Sequence, residues 1–124
     1  MYMYKLNKVN LFFKIISIVV FLTASSFVSA QTFFKTGKIT RIITQDNKTG
    51  GCMIKLSNNI GNGCPANGFV SLDCNGDISA DASKGKRAYA TALLAYSMGK
   101  KVSVRVDNQK VLNSFCVADR LDIL

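Results

Sequence analysis

Four cysteines, Cys52, Cys64, Cys74 and Cys116, have the widest chemical range of any side chains in this sequence. A thiolate can ligate zinc, attack an electrophile or close a disulfide. Zinc sites usually bring their ligands in close pairs such as C-x2-C, often with His. This chain has no close cysteine pair and no His, so the spacing argues against a metal. It also has no Glu and no Trp, and its seven acids are all Asp. A Ser-His-Asp triad, a Cys-His pair and a His-based metal centre are therefore excluded. Asp, Ser and Lys remain, but no recognisable constellation assembles them. No catalytic residue, metal ligand or cofactor is expected, and the chain is not expected to be an enzyme.

Two motif imitations fail in detail. Asp73, Asn75, Asp77, Ser79 and Asp81 alternate like the start of a calcium loop. That loop needs Gly at its sixth position and a bidentate Glu at its twelfth. Here the glycine is the fourth residue, Gly76, and the twelfth is Lys84. A turn followed by a helix cap explains the same residues. Ser83-Lys84-Gly85-Lys86 matches S-x-x-K, and K-T-G occurs at Lys35 and again at Lys48. No S-D-N element accompanies them, and the chain is too small for a penicillin-binding fold.

Disulfides need an oxidising compartment, and the N-terminus supplies an address. Lys5, Lys8 and Lys14 form a positive region, residues 15–22 a short apolar one, and Val28-Ser29-Ala30 a small-residue cleavage site. This is a secretory leader pattern, with cleavage expected after Ala30. The apolar run is short for a membrane span and is interrupted by Ser17, Thr23, Ser25 and Ser26. Without the three leader lysines the net charge falls from +9 to +6. Residues 31–124 then form one small domain, secreted or periplasmic, with no second long apolar run. A core of this size is marginal, and two disulfides suit it.

The elements that position these residues follow from pattern. Residues 37–45 are rich in Ile and Thr and read as a strand. Residues 46–51 carry Asp, Asn and Gly turn chemistry. Residues 52–57 form a second strand, with Cys52, Ile54 and Leu56 on one face. Residues 58–68 are a long Asn/Gly/Pro loop. Residues 69–74 form a third strand, with Val70, Leu72 and Cys74 on one face. From about Ser83 to Met98 the spacing of Tyr89, Ala92, Leu93 and Tyr96 predicts an amphipathic helix. Asp81 or Ser83 caps its start, and Gly99, Lys100 and Lys101 suit its end. Residues 101–107 alternate, with Val102, Val104 and Val106 inward. "NQK" turns the chain. Residues 114–124 form the last strand, with Phe115, Val117, Leu121 and Ile123 on one face.

The order is βββαββ. One helix cannot cover both faces of five strands, so the economical fold is mainly β: an OB-like, curled five-stranded sheet or barrel with a helical plug. A flat α+β sandwich is the alternative. If Cys52 faces Cys74 across a hairpin, Ile54 faces Leu72 and Leu56 faces Val70, all inward. That register favours Cys52–Cys74 and leaves Cys64 for Cys116. Cys52–Cys64 with Cys74–Cys116 is the runner-up, since connectivity is not fixed by sequence.

The basic balance supplies the candidate binding residues. Arg41, Lys55, Arg105 and Arg120 lie at outward strand positions, and Lys84, Lys86 and Arg87 crowd the helix start. Cations there oppose the helix macrodipole, so they gain nothing from the helix itself. A solvated basic surface is the plain reading. The functional one is an anionic partner: lipopolysaccharide, a cell-surface glycan, or an acidic protein docked by an inhibitor or interaction module. Nucleic acid is not expected for an exported chain without evident stacking aromatics.

Ile39-Thr40-Arg41-Ile42, Cys64, Val70-Ser71-Leu72-Asp73, Gly99-Lys100-Lys101-Val102 and Cys116 resemble a group of small secreted bacterial proteins, mostly uncharacterised. The group is similar in layout to the B subunits of AB5 toxins of the subtilase-cytotoxin and pertussis type. The resemblance implies an OB-fold, glycan binding and a pentameric homo-oligomer. No motif aligns a glycan-contacting residue, so none carries over. The group's shared cysteines, before the third strand and before the last, support Cys64–Cys116.

Overall fold

A computed structural model of the chain describes residues 31–44, 48–64 and 67–124. The expected leader, residues 1–30, lies outside the described residues. So do residues 45–47 of the first turn and 65–66 of the long loop. The elements are β1 (Thr32–Thr44), β2 (Cys52–Leu56), β3 (Phe69–Ser71), α1 (Ala82–Ser97), β4 (Lys101–Leu112) and β5 (Phe115–Ile123). The strands close into a barrel in the order β1-β2-β3-β5-β4, with β4 returning to β1. The expected architecture is the one observed: mainly β, one helix, βββαββ, an OB-like five-stranded barrel. A flat sandwich is ruled out because β1 pairs with both β2 and β4 and leaves no open edge.

The core lies inside the barrel, where Ile39, Ile54, Leu56, Val70, Val102, Val104, Val106, Ala118 and Leu121 meet. β1 begins at Thr32, five residues before its expected start, because its N-terminal half pairs with β4 from Thr32↔Asp107 to Lys38↔Lys101. "NQK" does not turn the chain. β4 runs on to Leu112, and residues 108–110 form an irregularity in the ladder between Asp107↔Val117 and Val111↔Cys116. The reversal falls at Asn113 and Ser114, both at left-handed φ, 46° and 70°, as a tight hairpin requires.

Three expectations of register and face are corrected. First, β2 and β3 pair as Met53↔Ser71, Ile54↔Val70 and Lys55↔Phe69. That register is two residues away from Cys52 facing Cys74. The parity of the strands is unchanged, so the inward faces still meet. β3 ends at Ser71, and Asp73 takes a left-handed φ of 54°. The chain thereby bends Cys74 back to Cys52, and the two are disulfide-bonded with Cα atoms 5.6 Å apart. Cys64 in the long loop is bonded to Cys116 at the same Cα separation.

Second, β5 does not keep one face throughout. Val104↔Leu121 and Arg105↔Arg120 are followed by Val106↔Ala118, so Asp119 is an extra residue. This bulge inverts the alternation. Cys116, Ala118 and Leu121 belong to the core, whereas Phe115 does not. Asp119 and Arg120 both emerge on the outside.

Third, α1 buries Gly85, Ala92 and Ala95, with Ala88 and Tyr89 packed beside them. Of the expected stripe, Tyr89 and Ala92 face inward, whereas Leu93 and Tyr96 are exposed. The cause is a close approach. A Cβ on Gly85 would lie 2.3 Å from the carbonyl oxygens of both Leu72 and Asp73. At that spacing small residues fill the inner face, Tyr89 packs partly buried at its side, and Leu93, Leu94 and Tyr96 are left outside.

Candidate functional site

Asp73 fixes the segment that leads into α1. Its carboxylate accepts the backbone N–H groups of Asp77 at 2.7 Å, Ile78 at 3.1 Å and Ser79 at 2.9 Å. Burial pushes this carboxyl up, but the three donors outweigh it and hold it below the usual carboxylate range. The residue that would open a calcium loop is therefore spent on its own turn. Asp81 then caps α1, accepting the Ser83 N–H at 3.0 Å. Hydrogen bonds from Ser83 lower the Asp81 carboxyl as well. The helix N-terminus is filled by the chain itself.

Beyond the cap, the helix flank faces β5 across an open groove of about 200 Å3. Lys84, Arg87, Ala88 and Thr91 line it from α1, and Asp119, Arg120 and Leu121 line it from β5. The bulge delivers two of these, since without it Asp119 and Arg120 would not both face outward. A smaller cleft of about 30 Å3 adjoins, sharing Lys84 and Asp119 and reaching Asp73 and Lys110.

The electrostatics are uneven. Arg105 reaches over from β4 and donates two hydrogen bonds to Asp119, Nε to Oδ1 at 2.7 Å and a terminal nitrogen to Oδ2 at 2.9 Å. These bonds hold the Asp119 carboxyl below the usual range and raise the Arg105 guanidinium. Arg120 is paired with Asp122 at 2.9 Å. Among the described residues, Lys84 and Arg87 stand within ion-pair distance of no acid. The Asp119 carboxylate at the groove is thus neutralised, whereas the two helical cations have no ion-pair partner among the described residues and interact with the Asp81 carboxylate only across a gap.

The seven basic residues singled out from the sequence do not form one site. Lys84, Arg87 and Arg120 meet at the groove, and Arg105 stands behind it through Asp119. Lys86 does not line it. Arg41 and Lys55 are cross-strand partners on β1 and β2. The Lys55 ammonium lies 5.1 Å from the Phe69 ring centre, and Phe69 meets Phe115 edge-on at 6.0 Å. Sequence reasoning missed that aromatic pair, because Phe115 was placed inward. It also missed Thr91 and Asp119. The three- and four-residue steps from Lys84 to Arg87 to Thr91 were a usable signal; the bulge that brings Asp119 had none.

Among the described residues no cluster of three or more Cys or Asp side chains is placed to hold a metal. No helix there is long and apolar enough to cross a membrane. The chain belongs to a family of unknown function (DUF5992), whose model matches residues 13–113. Searches of curated proteins and of solved structures return no match.

Proposed function

We propose that this is an exported, non-enzymatic binding protein whose groove between α1 and β5 takes an anionic ligand, with an acidic cell-surface glycan as the first candidate. Two disulfides fit an oxidising destination. The observation that carries the reading is the pair Lys84 and Arg87, one helical turn apart on a groove wall, neither within ion-pair distance of an acid among the described residues and both sensing the Asp81 carboxylate without contact. Cations lining one wall of a concave surface focus potential on an anion. Arg87 adds a planar fork suited to carboxylate or phosphate. The resemblance in layout to toxin B subunits, for which no solved structure matches, supports a glycan by fold analogy only.

Titration of the protein with soluble acidic and neutral oligosaccharides tests this. Acidic sugars should bind, neutral ones should not, and Lys84→Ala with Arg87→Ala should weaken binding about tenfold or more. Equal binding by parent and variant would sink the groove as the site. An acidic protein partner is the second reading. It is favoured by the spread of positive charge past the groove to Lys86, Lys100 and Lys101, a wider area than one sugar covers. Light scattering decides whether a ring forms, and a monomer at working concentration removes the pentamer.

A further inference from the structure

Lys84, Arg87, Thr91, Leu94 and Met98 succeed one another at steps of three, four, three and four residues along α1 and its C-cap. Side chains at those steps line up on one flank of a helix. The first three line the groove. Leu94 and Met98 continue the flank beyond it, each 54% exposed, and Leu93 beside them is 45% exposed. A single exposed Leu means little. Three large apolar side chains within six residues, continuous with a cationic groove, form an amphiphilic strip.

Charge selects the occupant. From the first residue of α1 to the start of β4, residues 82–101 contain Lys84, Lys86, Arg87, Lys100 and Lys101 and no acid, with Asp81 at the N-cap just before them. A second copy laid on the same strip would bring these like charges together, which opposes self-association. An anionic bilayer surface meets both halves of the strip at once. Phosphates lie at headgroup depth and acyl carbon just beneath, while Lys and Arg stems lie along apolar surface with their charges in water. The apolar end of the strip stands exposed on the helix beyond the groove, and a fluid interface, unlike a protein pocket, conforms to such a surface.

We propose that the groove and the strip together bind an anionic phospholipid at a bilayer surface, the headgroup phosphate between Lys84 and Arg87, and Leu94 and Met98 entering the headgroup–acyl boundary. This rests on the groove being an anion site and adds that the other half of the ligand is apolar.

The test uses the oxidised protein recovered after export and three probes: phosphatidylcholine vesicles, the same vesicles containing phosphatidylglycerol, and glycerol 3-phosphate in solution. The protein should sediment with the anionic vesicles and about tenfold less with the neutral ones. Leu94→Ser with Met98→Ser alters only exposed positions, so the thermal midpoint should hold. Anionic-vesicle binding should fall about tenfold, and glycerol 3-phosphate binding should be unchanged. Indifference of the parent to anionic vesicles, or full vesicle binding by the double variant, overturns the proposal. So does a dimer that the double variant abolishes, or binding of soluble polyglutamate that it abolishes. If glycerol 3-phosphate fails to bind while vesicle binding still depends on Leu94 and Met98, the anion-site reading falls and takes the headgroup half of the proposal with it.

Discussion

Arg105 holds Asp119 through two hydrogen bonds, at 2.7 and 2.9 Å, and Asp119 is the extra residue of the β5 bulge. The bulge thus turns an acid into the groove, and the neighbouring strand neutralises it. Asp119→Asn keeps the size and one acceptor but leaves the guanidinium unbalanced beside Lys84 and Arg87. Anion affinity should rise roughly threefold, with a steeper dependence on salt. Titration at two ionic strengths reads this. Unchanged affinity and salt slope would show that the groove field does not reach the ligand.

Gly85 is where α1 comes closest to the segment after β3. An added Cβ would meet two backbone carbonyl oxygens at 2.3 Å, and backbone cannot rotate away as a side chain can. Gly85→Ala should therefore destabilise by about 3 kcal/mol or more, at the severe end of overpacking. In a domain of this size that lowers the melting midpoint by roughly 12 °C or more. Gly99→Ala is the comparison. It has no neighbour within 4 Å but sits at φ 63°, so only left-handed strain opposes it, about 1–2 kcal/mol.

The barrel was legible because strand alternation in β2 and β4 depends only on parity. Ile54, Leu56, Val102, Val104 and Val106 point inward as their period-two pattern requires. Parity also survives the two-residue correction between β2 and β3. β5 failed where an extra residue, Asp119, breaks the count, and no residue type marks a bulge of this kind. α1 failed for a different reason. Counting large apolar residues selects Leu93 and Tyr96, yet the wall α1 packs on takes Gly85, Ala88, Ala92 and Ala95, with Tyr89 partly buried beside them. Those four small residues stand at steps of three, four and three, so a search for small residues at helical period would have found the inner face. The groove itself joins α1 to the bulge in β5, a contact between elements some thirty residues apart that alternation within either one does not encode.

The two disulfides should be unequal. Cys52–Cys74 closes a separation of 22 residues and Cys64–Cys116 one of 52. Loop-closure entropy in the unfolded chain gives losses of about 3.4 and 4.1 kcal/mol on removing them. Paired Cys→Ala variants, unfolded in urea, should both be less stable, with the Cys64/Cys116 variant the weaker. Non-reducing peptide mapping checks the connectivity directly, and a Cys52–Cys64 peptide would contradict it.

Asp73 should give the domain an acid limit. Its folded carboxyl lies below the unfolded value of 3.8 because three backbone donors favour the anion over the burial that opposes it. A depressed acid contributes stability that is fully present above its unfolded pKa and is lost as pH falls through the folded one. The loss therefore begins below about pH 4 and leaves neutral pH untouched. Asp73→Asn removes the titration while keeping one acceptor oxygen for the three N–H groups. The variant should be less stable at pH 7 by about 1–3 kcal/mol, the cost of leaving buried donors unpaired. The gap from the parent should narrow as pH drops below 4. Urea unfolding across pH 2–7 measures it, and a gap that stays constant through that window would show that the carboxyl is not depressed by folding.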